Sequence, residues 1–198
     1  TEIVEDNRDA QADIRRRKSK GEFDYKDSAI LYRTNAQSRL FEEKLLMANI
    51  PYKLVGGINF YARKEIKDLL CYLKTVDNAK DDLAVRRIIN IPKRGIGAAS
   101  LAKVQNYAVD RDISFYDALK DAENIVSLGR AVSKIEPFVT FIQTLRSQAD
   151  FYSVHELLQS IIDMTGYVTE LQAEGTDEAK ARIENIDELI SKIVTYEE

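Results

Sequence analysis

The chain is poor in the residue types that usually carry site chemistry: its 198 residues include one cysteine and one histidine. A single cysteine, Cys71, excludes an intramolecular disulfide. It lies in the helical apolar stretch Asp68-Leu69-Leu70-Cys71-Tyr72-Leu73. There it reads as a buried small hydrophobe rather than a nucleophile. A reducing, cytoplasmic compartment fits this usage. The lone histidine, His155, reads as a surface residue in the first turn of a helix capped by Ser153. One His and one Cys exclude a zinc site of the usual ligand set. A Cys/His or Ser/His catalytic arrangement has only His155 to draw on, with no supporting motif around it. No apolar run approaches the ~20 residues that span a bilayer, so no membrane partner is expected. The acidic start, Thr1 to Asp6, does not resemble a signal peptide, and a first residue other than Met suggests a piece of something longer. Nowhere does Gly-x-x-x-x-Gly-Lys-Ser/Thr occur, so a phosphate loop for ATP is missing.

What is present describes a soluble globular protein with enough apolar residues for a core: 44% hydrophobic, 31% charged, net charge −4. The first third reads as α/β. Asn7 to Lys20 is a polar helix ending at Gly21, with Arg15-Arg16-Arg17-Lys18 suited to its C-terminal dipole. Ser28 to Arg33 reads as a buried strand, and Asn35 opens a helix that runs to Asn49 and stops before Pro51. Tyr52-Lys53-Leu54-Val55 makes a second strand. Strand, helix, strand at this spacing suggests a parallel crossover, which cannot make a stable sheet alone. From about Arg63 the pattern is all-helical, with helices predicted over Arg63–Val76, Asp81–Ile89, Ala98–Arg111, Phe115–Lys120, Leu128–Ala149, Val154–Thr165, Tyr167–Ala173 and Asp177–Tyr196. Ile183, Ile186, Ile190 and Ile193 form an apolar stripe on the last of these, and Pro137 bends or divides the long one. The domain boundary is placed near Lys67. The expected class is mixed α/β, predominantly helical.

The most informative stretch is Ile91-Pro92-Lys93-Arg94-Gly95-Ile96-Gly97-Ala98-Ala99-Ser100. Two glycines flank one isoleucine, two cations precede them and a helix follows. Glycine lets bare backbone approach a ligand, and a helix start offers unpaired N–H groups and partial positive charge to a phosphate. On the glycines alone a tight interhelical turn is an equal reading. The charge shifts the balance: Leu83 to Val109 holds Arg86, Arg87, Lys93, Arg94 and Lys103 and no Asp or Glu. A local positive field on an acidic chain is a footprint for a polyanion. Residues 69–198 nevertheless carry 15 cations against 21 anions, so only one face is suited to DNA. Phe60 and Tyr61, beside Gly56-Gly57, could stack on bases, although core or interface is the commoner use of such a pair.

Two further stretches stand out. Ile30 to Arg39 puts Arg33, Asn35, Gln37 and Arg39 at a strand-to-helix junction, the edge at which open α/β sheets bind ligands. Val55-Gly56-Gly57-Ile58-Asn59-Phe60-Tyr61-Ala62-Arg63-Lys64-Glu65-Ile66-Lys67-Asp68 joins a strand, a Gly-Gly turn and a charged helix start. In this order and spacing the three stretches resemble the superfamily 1 DNA helicases of the UvrD/PcrA/Rep type, over essentially the whole chain.

The resemblance implies that residues 1–66 are the first portion of a RecA-like motor domain, 2A, left incomplete. Residues 67–198 are then its all-α insertion, 2B, with a helix-hairpin-helix-like turn. It also implies that Arg33 and Asn35 touch single-stranded DNA. Lys93, Arg94, Gly95, Ile96, Gly97 and Ser100 grip duplex DNA ahead of the fork. Arg63, Glu65 and Lys67, with Gly56 and Gly57, form a hinge and packing element near the 2A–2B junction. The implied parent is an ATP-dependent 3′–5′ helicase of repair or replication, whose ATP and magnesium sites fall outside this chain. Its domains 1A and 1B and the rest of 2A are the implied partners. The chain alone is therefore expected to bind duplex DNA, to regulate unwinding and not to hydrolyse ATP. Two alternatives stay open: a stand-alone helix-hairpin-helix DNA-binding module, and a protein-interaction domain with no nucleic-acid role.

Overall fold

A computed structural model describes residues 16, 19–21, 25–32, 35–55 and 60–197. The chain divides into two compact units, 1–60 and 61–198. The division falls inside the Gly56–Asp68 stretch, so Arg63, Glu65 and Lys67 belong to the second unit.

In the first unit, α1 spans Asn35–Met47. Its end is a left-handed turn at Asn49 (φ 54°), where the Ile50 amide reaches back to the Leu45 carbonyl at 2.8 Å, and Pro51 follows. Asparagine tolerates that conformation and proline cannot continue the helix. The strands expected at Ser28–Arg33 and Tyr52–Val55 are a correction: residues 28–32 and 51–54 carry no ladder, and there is no strand among the described residues. Two short segments without further neighbours have too few partners for their backbone groups to hold a sheet. The helix expected over Asn7–Lys20 lies almost entirely outside the described residues.

The second unit is a helical bundle: α2 (Lys64–Asp77), α3 (Asp82–Ile88), α4 (Ala98–Arg111), α5 (Phe115–Lys120), α6 (Val132–Gln148), α7 (Val154–Thr165), α8 (Tyr167–Glu174) and α9 (Asp177–Glu197). The bounds of α4, α5 and α7 coincide with those read from the sequence. Helix α6 starts later than expected. A 3₁₀ segment, Val126–Ala131, precedes it with Gly129 at φ 53°, and the helix then continues through Pro137.

Helix α2 is the spine, packed against α3, α6, α7 and α9. Ile66, Leu69, Tyr72 and Val76 recur at helical spacing and are all buried, each worth roughly 1.5–3 kcal/mol against exposure. Facing them are Phe138, Ile142 and Leu145 of α6 and Leu158 and Ile161 of α7, all buried. On α9 the buried stripe is Ala179, Ile186 and Leu189 beside Asn185, with Ile183, Ile190 and Ile193 half-buried at its flanks.

The helix ends are fixed by side chains. Asp81 accepts from the Ala84 amide at 3.1 Å, Ser114 from Asp117, and Ser153 with Glu156 closes a capping box on α7. Glu197 of α9 also accepts from the Val154 amide at 2.6 Å. That contact helps leave His155 half-buried, where the sequence suggested a surface position. Cys71 is half-buried, and burial pushes its thiol up, away from thiolate chemistry.

Candidate nucleic-acid interface

The turn between α3 and α4 is built from the inside outward. Ile88, Ile89 and Ile96 are buried and anchor it to the core. Asn90 then mimics a strand neighbour: its Nδ2 donates to the Ile96 carbonyl at 2.7 Å, and the Ile96 amide donates to its Oδ1 at 3.1 Å. Arg94 gathers the remaining carbonyls. Its Nη1 faces the oxygens of Ile88 (2.9 Å), Ile89 (3.1 Å), Ile91 (3.1 Å) and Pro92 (3.4 Å). Its Nη2 donates to the Tyr72 hydroxyl at 2.8 Å. Tyr72 in turn donates to the Ile91 carbonyl. The guanidinium carbon lies 5.1 Å from the centre of the Phe138 ring. A cation at the carbonyl end of α3 also meets the negative pole of that helix. Burial pushes the Tyr72 hydroxyl up, so it stays a neutral donor.

The two glycines do different work. Gly95 has φ +69°, a conformation that favours glycine, and its carbonyl accepts from Lys134 Nζ at 3.0 Å. A Cβ on Gly95 would stand 3.3 Å from that ammonium. Gly97 has φ −71° and ψ 154°, which any residue adopts, and a Cβ there would meet nothing within 4 Å. Nothing inside the unit requires this glycine.

Outside the staple the backbone is bare. Lys93, Gly95, Gly97, Ala98 and Ala99 are exposed and Ser100 is half-buried. Gly97 is the N-cap of α4 with no side-chain cap and no acid in the first turn. Ser100 and Leu101 bond back to the Gly97 carbonyl, while the amides of Gly97, Ala98 and Ala99 have no acceptor among the described residues. The turn thus divides: the Ile96 amide faces inward, and the next three face solvent.

The five cations of the basic run are also divided. Arg87 pairs with the fully buried Asp68 at 2.7 Å, and Arg94 lies among carbonyls. Arg86 bonds Gln105 and covers the Phe115 ring at 4.7 Å, and Lys103 donates to the Ser127 carbonyl. Lys93 is exposed and makes no ion pair among the described residues. Lys134 arrives from α6, 39 positions beyond Gly95, and no local signal in the sequence connects the two. A shallow pocket of about 390 Å³ opens between Pro92 and Arg94 of the turn and Lys134, Pro137 and Phe141 of α6.

The second motif forms a separate polar network. Arg63 Nη1 donates to Asn185 Oδ1 at 2.7 Å, and Asn185 Nδ2 donates to the buried Glu65 Oε1 at 2.7 Å. Asp68 accepts from Arg87 at 2.7 Å and from the Tyr167 hydroxyl at 2.9 Å, which joins α2 to α3 and α8. Burial, then the Asp68 charge, push the Tyr167 hydroxyl far up. Lys67 points away from this network and is exposed. Asp68, Asn90, Lys134 and Asn185 carry no sequence signal of these roles. Only Asp68 stood within a quoted motif.

Arg33, Gly56 and Gly57 lie outside the described residues. Asn35 is the first residue of α1, and its side chain is not among those described. Phe60 is buried and Tyr61 is 42% exposed. No group of three His, Cys, Asp or Glu side chains that could hold a metal ion occurs among the described residues. No described helix is long and apolar enough to cross a membrane.

Residues 3–198 match the family model described as the UvrD-like helicase C-terminal domain. The chain is 47% identical over 174 residues to the ATP-dependent DNA helicase PcrA of Staphylococcus aureus strain Mu50, covering 88% of this chain and 24% of that protein. It is 45% identical over 180 residues to the ATP-dependent DNA helicase PcrA of Bacillus subtilis strain 168, covering 91% and 24%. The chain thus spans about a quarter of the length of the curated relatives it matches.

Proposed function

Because the chain belongs to the UvrD-like helicase C-terminal domain family, we propose that it is the duplex-gripping part of an ATP-dependent 3′–5′ DNA helicase acting in repair or replication. In this reading residues 1–66 begin motor domain 2A and residues 67–198 form the 2B insertion. ATP and magnesium are held by domains 1A and 1B and the rest of 2A. Arg33 and Asn35 meet the single strand. The chain's own contribution is to hold the sugar-phosphate backbone of the duplex without reading bases, and so to regulate unwinding.

One observation carries the reading: the amides of Gly97, Ala98 and Ala99 face solvent without acceptors among the described residues, beside the exposed Lys93. Such a helix start complements an anion. The glycine at Gly97 adds support: a Cβ there would meet nothing within 4 Å in the fold, but would stand in the way of an approaching phosphate. Ser100, one residue further along α4, supplies a hydroxyl at the same end.

The test is duplex binding by the purified chain across a salt series. Each phosphate neutralised by a cation lowers affinity by roughly 3.5-fold between 50 and 200 mM salt, so binding is expected to weaken across the series. Lys93→Glu is the matching variant, because Lys93 has no described role in holding the fold. It is expected to abolish duplex binding and leave helix content intact. Salt-independent binding, or unchanged binding in the variant, would sink the reading.

A further inference from the structure

We infer that Arg94 is a positioning residue for duplex binding and not a phosphate ligand. It fixes the turn so that the amides of Gly97–Ala99 face outward. The inference rests on the proposed reading of that turn.

The geometry assigns the guanidinium inward. Four carbonyls, those of Ile88, Ile89, Ile91 and Pro92, converge on one nitrogen, and the other terminal nitrogen donates to Tyr72. A planar fork can serve several oxygens at once, whereas an ammonium is a point charge with three donors. The fork folds the segment after α3 back on itself and lies over the Phe138 ring. Asn90 then holds Ile96 in the core, and the chain leaves through Gly95 in its left-handed conformation. With residues 88–96 fixed in this way, the next three amides have only solvent to face. Neighbouring Lys93 has no such partners among the described residues, so adjacent cations in the sequence have opposite tasks.

Arg94 therefore acts through the backbone, and its removal should weaken binding without changing the number of ions released. Lys93 acts on the phosphate, and its removal should change that number. The experiment measures duplex affinity of the full chain against salt for the wild type, Lys93→Gln, Arg94→Gln, Arg94→Lys and Tyr72→Phe. In Lys93→Gln the slope of log K against log salt is expected to shrink by about 0.9. In Arg94→Gln affinity is expected to fall roughly tenfold or more while the slope keeps its wild-type value. Arg94→Lys should not restore binding, because one ammonium cannot take the place of Nη1 among the carbonyls and of Nη2 on the Tyr72 hydroxyl together. Tyr72→Phe leaves the charge unchanged and removes the hydroxyl shared by Arg94 and Ile91. It should lower affinity in the same direction at constant slope, and it serves where Arg94→Gln fails to fold. A slope reduced by about 0.9 in Arg94→Gln, or full rescue by Arg94→Lys, overturns the assignment of Arg94 alone. Absence of salt-dependent duplex binding in the wild type overturns the reading of the turn itself.

Discussion

Asn90 and Ile96 are paired through one side-chain amide, which both donates to the Ile96 carbonyl and accepts from its N–H. That pair of hydrogen bonds across six residues closes the turn on its core side. It separates the inward Ile96 amide from the three outward amides that follow.

Replacing Asn90 by Ala should therefore leave a partly buried N–H and C=O without partners. The expected loss is about 1–3 kcal/mol of stability, read from urea denaturation. Asn90→Asp keeps the acceptor for the Ile96 amide but sets a second carboxylate oxygen against the Ile96 carbonyl, so it should not recover wild-type stability.

The two glycines should separate fold from function. Gly95→Ala puts a side chain on a backbone at φ +69° and 3.3 Å from Lys134 Nζ, and should destabilise by about 1 kcal/mol or more. Gly97→Ala adds a methyl in open space on an ordinary backbone; alanine is the poorer N-cap, which offsets its lower chain entropy, so stability should change by less than about 1 kcal/mol. Yet that methyl stands where the phosphate would approach, so Gly97→Ala should weaken duplex binding. A Gly97→Ala chain that binds like wild type would argue against close backbone approach.

The Asp68 carboxylate is fully buried and serves Arg87 and Tyr167 together. Asp68→Ala is expected to cost about 3 kcal/mol. That is the low end for breaking a buried pair, because the Arg87 side chain keeps 33% exposure and is partly solvated once freed. Tyr167→Phe removes one bond and leaves the ion pair, and should cost about 1 kcal/mol. Thermal melts of the two variants side by side check the order.

Alkaline pH should unfold the helical unit through its buried phenols. Burial pushes the Tyr116 hydroxyl up from 10.0 to about 12, so the folded state holds that proton more tightly than the unfolded chain. The stability it contributes is complete below pH 10 and declines as pH rises from there toward about 12. Tyr72 and Tyr167 shift in the same direction, also chiefly by burial. Tyr116→Phe should flatten the loss of stability above pH 10 by up to about 1.4 kcal/mol per pH unit. Denaturation midpoints measured between pH 8 and 11 test this.

The amino-acid sequence by itself determined the helical elements from Lys64 onward. Apolar spacing and capping residues are local properties, and Ser114 and Ser153 mark ends wherever the helices pack. It also determined the place of the candidate site, since the Gly-Ile-Gly bend and the run of cations without acids are contiguous in the chain. Only the tertiary structure decided which of those cations faces outward. Lys93 and Arg94 are adjacent and alike in charge, and what separates them is a set of carbonyls and a hydroxyl contributed by α3 and α2. Lys134 reached Gly95, and Asn185 reached Glu65, by packing of helices far apart in sequence. A linear pattern records what each residue can offer, but the direction a side chain takes depends on partners that only folding brings within hydrogen-bonding distance.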